Sequence, residues 1–526
     1  MCNRLNSSLI KYNFLCFFLI YLGTFIFPIE KVSADKFSSY QRVTDTYGSA
    51  SSQVEVTIDN TQEHQTMEGF GATHIPLSYQ KTGDNLSSDL RDQAIDSVYN
   101  QVGITMGNLE GALLESPGTY EERANDNGNP FKINWNGFQT FWADEMKEKV
   151  VDLAKPFGFD NYFLGQKINV RWASPWLKNI RNTNYKRYLN EAAEQVVAGQ
   201  IYWRDTYDIV PRYQMLFNEP LSGNKELQDG NVKNVVDIVK RSGASLYKKG
   251  FRKIKFVIPN ETTVEKSLST ITAVLSNSKA SRYVGAIGYH TYSSVYASIS
   301  KILNTSGKGN PDNDEIAVRK KLRNISKKYG IPVWMTEISY GGVGSLSFDD
   351  FRGRAIHIHD ELIYANASAY FGMNNMWDTT SHEAHFGNSD IFNEEGNVIL
   401  IDNDTETVYI TGMGYAIGHY ARWIKKGAIR IEATSSDALV QITAFRNDSQ
   451  KQMALVIINN ASSEKTMNVN IVSLSLSSSE NLTGEQSTSE AYWKQLTPFA
   501  PKNSNSFTLT LPAESVTTVM GQVAFN

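Results

Sequence analysis

The chain has 526 residues, of which 41% are hydrophobic and 20% are charged, a globular composition that suffices for one large domain and a smaller one. Its formal net charge is -4 at pH 7. An electrostatic partnership with nucleic acid or with an anionic membrane is therefore not expected.

The N-terminus has the pattern of a secretory signal. Two basic residues precede an apolar run from Phe14 to Ile29, and small residues at 32–34 offer a cleavage site. We predict a signal peptide over residues 1–34 and a secreted, extracellular protein. The alternative is a retained membrane anchor, because the apolar run approaches the roughly 18 residues that span a bilayer.

Both cysteines of the chain, Cys2 and Cys16, lie in this segment. We therefore expect the mature protein to have no disulfide, no thiolate metal site and no cysteine nucleophile. Its stability must come from its hydrophobic core.

Residues 35–65 contain VEVTIDN at 54–60, in which apolar and polar residues alternate. The segment resembles the strands near the C-terminus more than those that follow it directly. We predict that this N-terminal segment joins the C-terminal domain.

Short β-rich runs alternate with helix-period segments from residue 66 to residue 422. Such strands, nearly apolar on both faces and each followed by a crossover, indicate a closed parallel sheet wrapped by helices. We predict an α/β fold, a (β/α)8 TIM barrel. Its eight strands are predicted at 66–72, 104–110, 167–173, 213–219, 253–260, 284–290, 332–337 and 369–377.

The pattern changes after residue 422. Runs such as LVQITAFRN and KQMALVIINN alternate apolar with polar residues and are separated by Ser, Asn and Asp turns. We predict a β-sandwich side domain over residues 423–526.

Two glutamates follow apolar runs at the ends of predicted barrel strands, where the active site of such a barrel lies. Glu219 ends strand four and precedes Pro220, which is expected to hold it in an extended conformation. Glu337 ends strand seven. A lone glutamate there more often caps a helix or pairs with a lysine, but two carboxylates at matching ends suit glycosidic bond cleavage.

Aromatic side chains follow three other strands. Aromatic faces stack on sugar rings, while indole, phenol and imidazole groups bond to hydroxyls. A single tryptophan is as readily explained by core packing, whereas three such clusters favour a sugar-binding cleft. The candidates are Trp172 and Trp176 after strand three, His290 and Tyr292 after strand six, and Trp377 at the end of strand eight.

These motifs resemble those of glycoside hydrolase family 30, a family of retaining (β/α)8 glycosidases. The likeness covers most of the chain, and it lies in EGFGATH at 68–74, ASPW at 173–176, NEP at 218–220, WMTE at 334–337, the joint at 415–434 and LPAESVTTV near the C-terminus.

The resemblance implies roles for four residues. Glu219 would be the acid/base, and Asn218 would bond to the 2-hydroxyl of the sugar at the cleavage point. Glu337 would be the nucleophile, and Tyr292 would donate a hydrogen bond that keeps it ionised.

The side-domain motifs resemble the bacterial xylanase branch most closely. Members of that branch that require glucuronoxylan hold the uronate with an arginine after strand eight, and residues 377–390 contain none. Strict dependence on glucuronoxylan is therefore not expected. Strand two also lacks the arginine common in the family, and we predict Arg171 as the basic group nearest that region.

The sequence thus predicts a secreted retaining endo-β-glycosidase that acts on a β-linked polysaccharide, such as xylan, β-1,6-glucan or β-1,6-galactan. The alternatives are an exo-acting β-glycosidase on oligosaccharides or glycolipids and a non-catalytic carbohydrate-binding protein. No cofactor is predicted, because two carboxylates supply the hydrolytic chemistry. We expect a monomer without stable membrane insertion.

No metal site is predicted. His357 and His359 are placed on the helix before strand eight, where positions two apart do not face each other. The segments at 125–130 and 402–410 resemble calcium loops only loosely, because neither has a glutamate at the twelfth loop position.

Overall fold

The computed structural model describes residues 53–74, 86–110, 114–115, 129, 132–165, 175–221, 231–293, 298–305, 313–339, 341–386, 390–393, 396–477 and 480–524. The predicted signal peptide lies outside these ranges. Among the helices in them, none is long and apolar enough to cross a membrane.

The strands form a first group by chain position, up to residue 410, and a second group after it. The first strand belongs to the C-terminal sheet although it lies in the first group. The first group is β1 Gln53–Thr66, β2 Gly69–His74, β3 Met106–Glu110, β4 Leu114–Glu115, β5 Phe138–Gln139, β6 Asn161–Gly165, β7 Tyr213–Met215, β8 Lys255–Glu261, β9 Val284–His290, β10 Val333–Glu337, β11 Ala367–Asp378, β12 Asn397–Asp402 and β13 Thr407–Ile410. The second group is β14 Ile429–Ser435, β15 Val440–Asn447, β16 Gln452–Asn459, β17 Lys465–Val472, β18 Ser475–Leu476, β19 Thr483–Thr488, β20 Ala491–Gln495, β21 Ser506–Leu511 and β22 Ser515–Ala524.

The helices lie mainly between the strands of the first group. They are α1 Ser88–Asp96, α2 Phe141–Met146, α3 Asp152–Ala154, α4 Pro175–Thr183, α5 Tyr185–Tyr207, α6 Val232–Lys248, α7 Val264–Ser276, α8 Ser278–Ser281, α9 Ile299–Thr305, α10 Asn313–Tyr329, α11 Phe348–Asp360, α12 Thr379–Phe386 and α13 Gly412–Ala421. Single π-helical turns at Ser97–Gln101, Lys147–Val151 and Glu361–Ala365 extend α1, α2 and α11.

Eight parallel strands form a closed barrel, in the order β2, β3, β6, β7, β8, β9, β10 and β11. The barrel closes because β11 pairs with β2 on one side and with β10 on the other. The predicted (β/α)8 fold is confirmed. The hairpin of β12 and β13 extends the sheet beyond the C-terminal half of β11.

The barrel interior is filled by large apolar side chains. Trp334 on β10 is completely buried, and its ring meets Tyr213 edge-on with centroids 4.9 Å apart and Phe163 with centroids 5.8 Å apart. Such a filled interior leaves the C-terminal ends of the strands as the place for polar chemistry.

The predicted bounds of strand three are wrong. The third barrel strand is β6, which pairs with β3 and β7 and ends at Gly165. It takes the place predicted for residues 167–173, which lie outside the described residues. Both segments are short runs rich in apolar residues, and periodicity does not distinguish two such neighbours.

Strand β1 lies inside the C-terminal domain, which confirms that the sandwich takes the N-terminal strand. It runs antiparallel to β14 and parallel to β17. Val54, Val56 and Ile58 are completely buried on its inward face, where they pack into the sandwich core. The polar residues between them face outward, as the period of a strand requires.

Buried histidines connect the barrel to the sandwich. His359 on α11 bonds through Nδ1 to Thr443 Oγ1 at 2.7 Å, and His419 on α13 bonds to Thr518 Oγ1 at 2.9 Å. Burial lowers the pKa of each imidazole to about 3, so both are neutral at pH 7. His357 faces a different partner, Tyr370, at 2.9 Å, so the two histidines of α11 do not converge.

Candidate active site

Two buried carboxylates meet at the C-terminal ends of the barrel strands. Glu337 is the last residue of β10, and Glu219 follows β7 by four residues, since β7 ends at Met215 and not at the predicted residue 219. Their exposures are 8% and 6%. All eight barrel strands are parallel and end at this face, which brings side chains distant in sequence into one pocket.

His290 lies between the two glutamates at the end of β9. Its Nδ1 is 3.1 Å from Glu219 Oε1 and 3.6 Å from Glu337 Oε1. One ligand-type atom from each of the three residues lies within 4.8 Å of the others. The carboxylate oxygens are thus close enough to act on opposite sides of one reacting bond.

Tyr292 serves as a hydrogen-bond donor to Glu337. Its hydroxyl donates to Glu337 Oε1 at 3.0 Å and lies 3.2 Å from Ser339 Oγ. Burial, followed by the charge of Glu337, raises the pKa of Tyr292 well above its ordinary value. The phenol therefore keeps its proton and its donor role at neutral pH.

The backbone of Glu219 differs from the prediction. Its φ is 50°, in the left-handed region, so the expectation that Pro220 would hold it extended is wrong. A positive φ is uncommon for a residue with a side chain and is found mostly where surrounding contacts enforce it. Here the amide of Glu219 donates to the carbonyl oxygen of Asn260 at 2.7 Å, and this tertiary bond overrides the local effect of the proline.

A third carboxylate, Glu261 at the end of β8, was missed by the sequence analysis. Its side chain is completely buried, and both its oxygens lie 3.2 Å from the amide of Leu221, which donates to them. Burial, and then the charge of Glu219, raises the pKa of Glu261 to about 7. The signal was present in the sequence, because a glutamate follows the fifth predicted strand directly.

The other predicted residues are only partly tested. Asn218 precedes Glu219 and is 3% exposed. Trp377 near the end of β11 is 5% exposed and packs with Ile391 and Leu400, the contacts of a core tryptophan. Arg171 and Trp172 lie outside the described residues, as does the side chain of Trp176, whose backbone lies in α4.

Two carboxylates and an imidazole at this spacing are also a possible ligand set for a divalent cation. The prediction that the chain offers no metal site did not consider this group. A cation there would occupy the same oxygens that acid and nucleophile chemistry requires. A bound cation would therefore compete with acid–base or nucleophilic use of these oxygens.

The chain was compared with known families and solved structures. Residues 427–519 match the family model of the glycosyl hydrolase family 30 beta sandwich domain. The resemblance to family 30 is thereby confirmed for the side domain.

Three solved structures share the fold over 88 to 89% of this chain. A family 30 subfamily 8 xylanase, Xyn30A from Clostridium acetobutylicum, is 18% identical with a TM-score of 0.63, covering 89% of this chain and 99% of that one. The family 30 xylanase C from Talaromyces cellulolyticus is 16% identical with a TM-score of 0.62, covering 89% and 99%. An endo-β-1,6-glucanase is 16% identical with a TM-score of 0.59, covering 88% and 93%. The protein therefore has the two-domain fold of family 30 glycoside hydrolases.

Proposed function

We propose that the protein is a secreted retaining endo-β-glycosidase that hydrolyses a β-linked polysaccharide through a covalent glycosyl-enzyme. The observation that carries the proposal is the approach of Glu219 and Glu337, whose oxygens lie within 4.8 Å of each other at a barrel mouth. Retaining glycosidases place their two carboxyl groups about 5 to 5.5 Å apart, whereas inverting enzymes need about 6.5 to 9.5 Å to admit a water molecule.

The surroundings of the two glutamates support different roles. Glu337 accepts a hydrogen bond from Tyr292, which favours a carboxylate that stays ionised and attacks. Glu219 lies near the buried carboxyl of Glu261 and is 3.1 Å from His290. The negative charge of Glu337, whose oxygen lies within 4.8 Å, opposes a second charge here, and a proton held on Glu219 is what a general acid requires.

The reaction then proceeds in two balanced steps. Glu219 gives its proton to the leaving glycosidic oxygen while a Glu337 oxygen bonds to the anomeric carbon and the glycosidic bond breaks. In the second step Glu219 takes a proton from water, the resulting hydroxyl adds to the anomeric carbon, and the ester to Glu337 breaks. Two displacements restore the original anomeric configuration.

The substrate class rests on the comparisons and on the sequence motifs. Two of the similar structures are described as xylanases and one as an endo-β-1,6-glucanase. We propose xylan, β-1,6-glucan or β-1,6-galactan as the polymer. Secretion is proposed on the N-terminal pattern alone, and it predicts a mature N-terminus at Asp35.

A substrate screen tests the proposal. Purified protein is incubated with xylan, β-1,6-glucan, β-1,6-galactan and aryl β-glycosides, and reducing ends and product sizes are measured. We expect mixed oligosaccharides from one polymer. Monosaccharide as the first product would instead indicate the exo-acting alternative, and binding without release of reducing ends would indicate a carbohydrate-binding protein.

Matched variants assign the two carboxylates. Glu337→Gln should abolish turnover, and Glu219→Gln should reduce it about 10²-fold or more, the usual contribution of general acid catalysis. Glu265→Gln, at an exposed position in the first turn of α7, is the control and should retain full activity. Wild-type turnover in Glu337→Gln would overturn the assignment.

A further inference from the structure

We propose that Asn260, in β8, is a positioning residue that fixes the geometry between Glu219 and Glu337 without touching substrate. The proposal rests on the function proposed for these two carboxylates. It follows from a set of hydrogen bonds that join β8 to the segments bearing both groups.

Asn260 holds the segment that bears Glu219 at two points. Its backbone carbonyl oxygen accepts a hydrogen bond from the backbone amide of Glu219 at 2.7 Å. Its side-chain Nδ2 donates to the backbone carbonyl oxygen of Phe217 at 3.4 Å. The next residue, Glu261, accepts the amide of Leu221. Alternate residues from 217 to 221 are thus bonded to two consecutive residues of β8, which explains how Glu219 is kept in a left-handed conformation.

The same side chain reaches the segment that bears Glu337. Thr336, the residue before Glu337, donates through Oγ1 to Asn260 Oδ1 at 2.9 Å. Strands β8 and β10 are not neighbours in the sheet, since β9 lies between them. The bond therefore crosses the barrel interior and links the two catalytic segments through one amide group.

Chemistry fixes the orientation of this amide. Nδ2 faces the carbonyl oxygens of Val257, at 2.9 Å, and Phe217, which can only accept, so the nitrogen must lie on that side. Oδ1 is then left for the hydroxyl of Thr336, which can donate. Because Asn260 is completely buried, each of these bonds is costly to lose.

The neighbouring strand leaves space for the amide. Gly288 on β9 lies directly against it, and a Cβ added at that glycine would be 2.0 Å from Asn260 Oδ1. Asn260 itself has a φ of 58°, a conformation that asparagine and glycine tolerate better than other residues. Substitution by glycine thus removes the side chain and leaves the backbone conformation accessible.

Three variants test the proposal. Asn260→Gly removes the amide, Thr336→Val removes its cross-barrel partner with little change of shape, and Gly288→Ala displaces the amide without altering Asn260. Each is assayed on the phenyl and 2,4-dinitrophenyl glycosides of the sugar that the wild type accepts. The first leaving group needs protonation by Glu219, and the second departs without it.

We expect Asn260→Gly to lower kcat/KM, which reports the first step, by about 10²-fold on the phenyl glycoside, the effect of a displacement near 1 Å. The loss on the dinitrophenyl glycoside should be several-fold smaller. Thr336→Val and Gly288→Ala should likewise lose more activity on the phenyl glycoside than on the dinitrophenyl glycoside. The double variant Asn260→Gly/Thr336→Val should lose no more activity than Asn260→Gly alone. Wild-type kcat/KM on the phenyl glycoside, or equal losses of kcat/KM on both glycosides, would overturn the proposal.

Asn366 provides a matched control, because it is also an asparagine in the left-handed region, with a φ of 61°, at the opposite end of the barrel. Asn366→Gly should leave both kcat/KM values unchanged. If the wild type hydrolyses no glycoside, the proposed function fails. The hydrogen bond between Asn260 and Thr336 is then still tested by thermal unfolding. Non-additive changes in stability for Asn260→Gly and Thr336→Val would support the positioning role of Asn260, and additive changes would overturn it.

Discussion

The hydroxyl of Tyr292 donates to Glu337 Oε1 at 3.0 Å, which connects the loop after β9 to the carboxylate at the end of β10. Glu337 is 8% exposed and Tyr292 is partly buried, so the bond is made to a charged acceptor with limited access to water. Such bonds contribute more than those between neutral groups.

Removal of this donor should impair catalysis. We expect Tyr292→Phe to lower kcat/KM by about 10-fold to 10²-fold, because a hydrogen bond to a charged group contributes about 1.5 to 3 kcal/mol. The acid limb of the pH profile should also move to higher pH, since ionised Glu337 loses a stabilising partner. An unchanged pH profile measured on the best substrate would contradict this role.

Glu261 should make the stability of the protein depend on pH. Because its pKa is raised to about 7 in the folded state, the buried group favours its neutral form, and stability is lost as pH rises through 7. Between pH 5 and pH 8 the wild type should lose about 3 kcal/mol of unfolding free energy relative to Glu261→Gln. Urea unfolding of both proteins measures this difference, and parallel pH curves would refute the prediction.

The buried histidines at the domain joint should give a loss of stability in acid. The pKa of His359 and of His419 is lowered to about 3 in the folded state. Below pH 6.5 these imidazoles therefore bind protons in the unfolded chain but not in the folded state. Stability is therefore full above pH 6.5 and falls as pH decreases toward 3. His419→Gln should be less stable at pH 7 but should lose less stability between pH 7 and pH 4, as measured by thermal unfolding.

Strand β1 offers a test of the shared sandwich with neighbouring residues. Val56 is completely buried in the sandwich core, whereas Thr57 is exposed on the other face. Val56→Asp should destabilise the protein by more than about 4 kcal/mol, because it buries an unpaired charge. Thr57→Asp should change stability by less than about 1 kcal/mol, and equal effects in thermal unfolding would contradict the register of β1.

The sequence predicted the barrel, the sandwich and the shared strand because strand periodicity and apolar runs are local signals. It also placed Glu219 and Glu337 at strand ends. It could not predict the left-handed backbone of Glu219, since that conformation depends on Asn260, 41 residues further along the chain. The local effect of Pro220 favours an extended backbone at Glu219, but the hydrogen bond to Asn260 holds it in the left-handed conformation.

The burial of Glu261 was missed for a related reason. A glutamate after a strand is usually solvated, and only the fold shows that its oxygens face the amide of Leu221 in a closed pocket. Trp377 was predicted as a sugar ligand from its place at a strand end, and only the fold shows that it packs with Ile391 and Leu400. Residue type alone does not distinguish these environments.

The stereochemistry of hydrolysis tests the account most directly. Proton NMR during the first minutes of reaction on the accepted substrate reports which anomer is released before mutarotation. Because the oxygens of Glu219 and Glu337 lie within 4.8 Å of each other, we predict that the β-anomer appears first and the α-anomer only later. Initial release of the α-anomer would show inversion and would contradict the proposed nucleophilic role of Glu337.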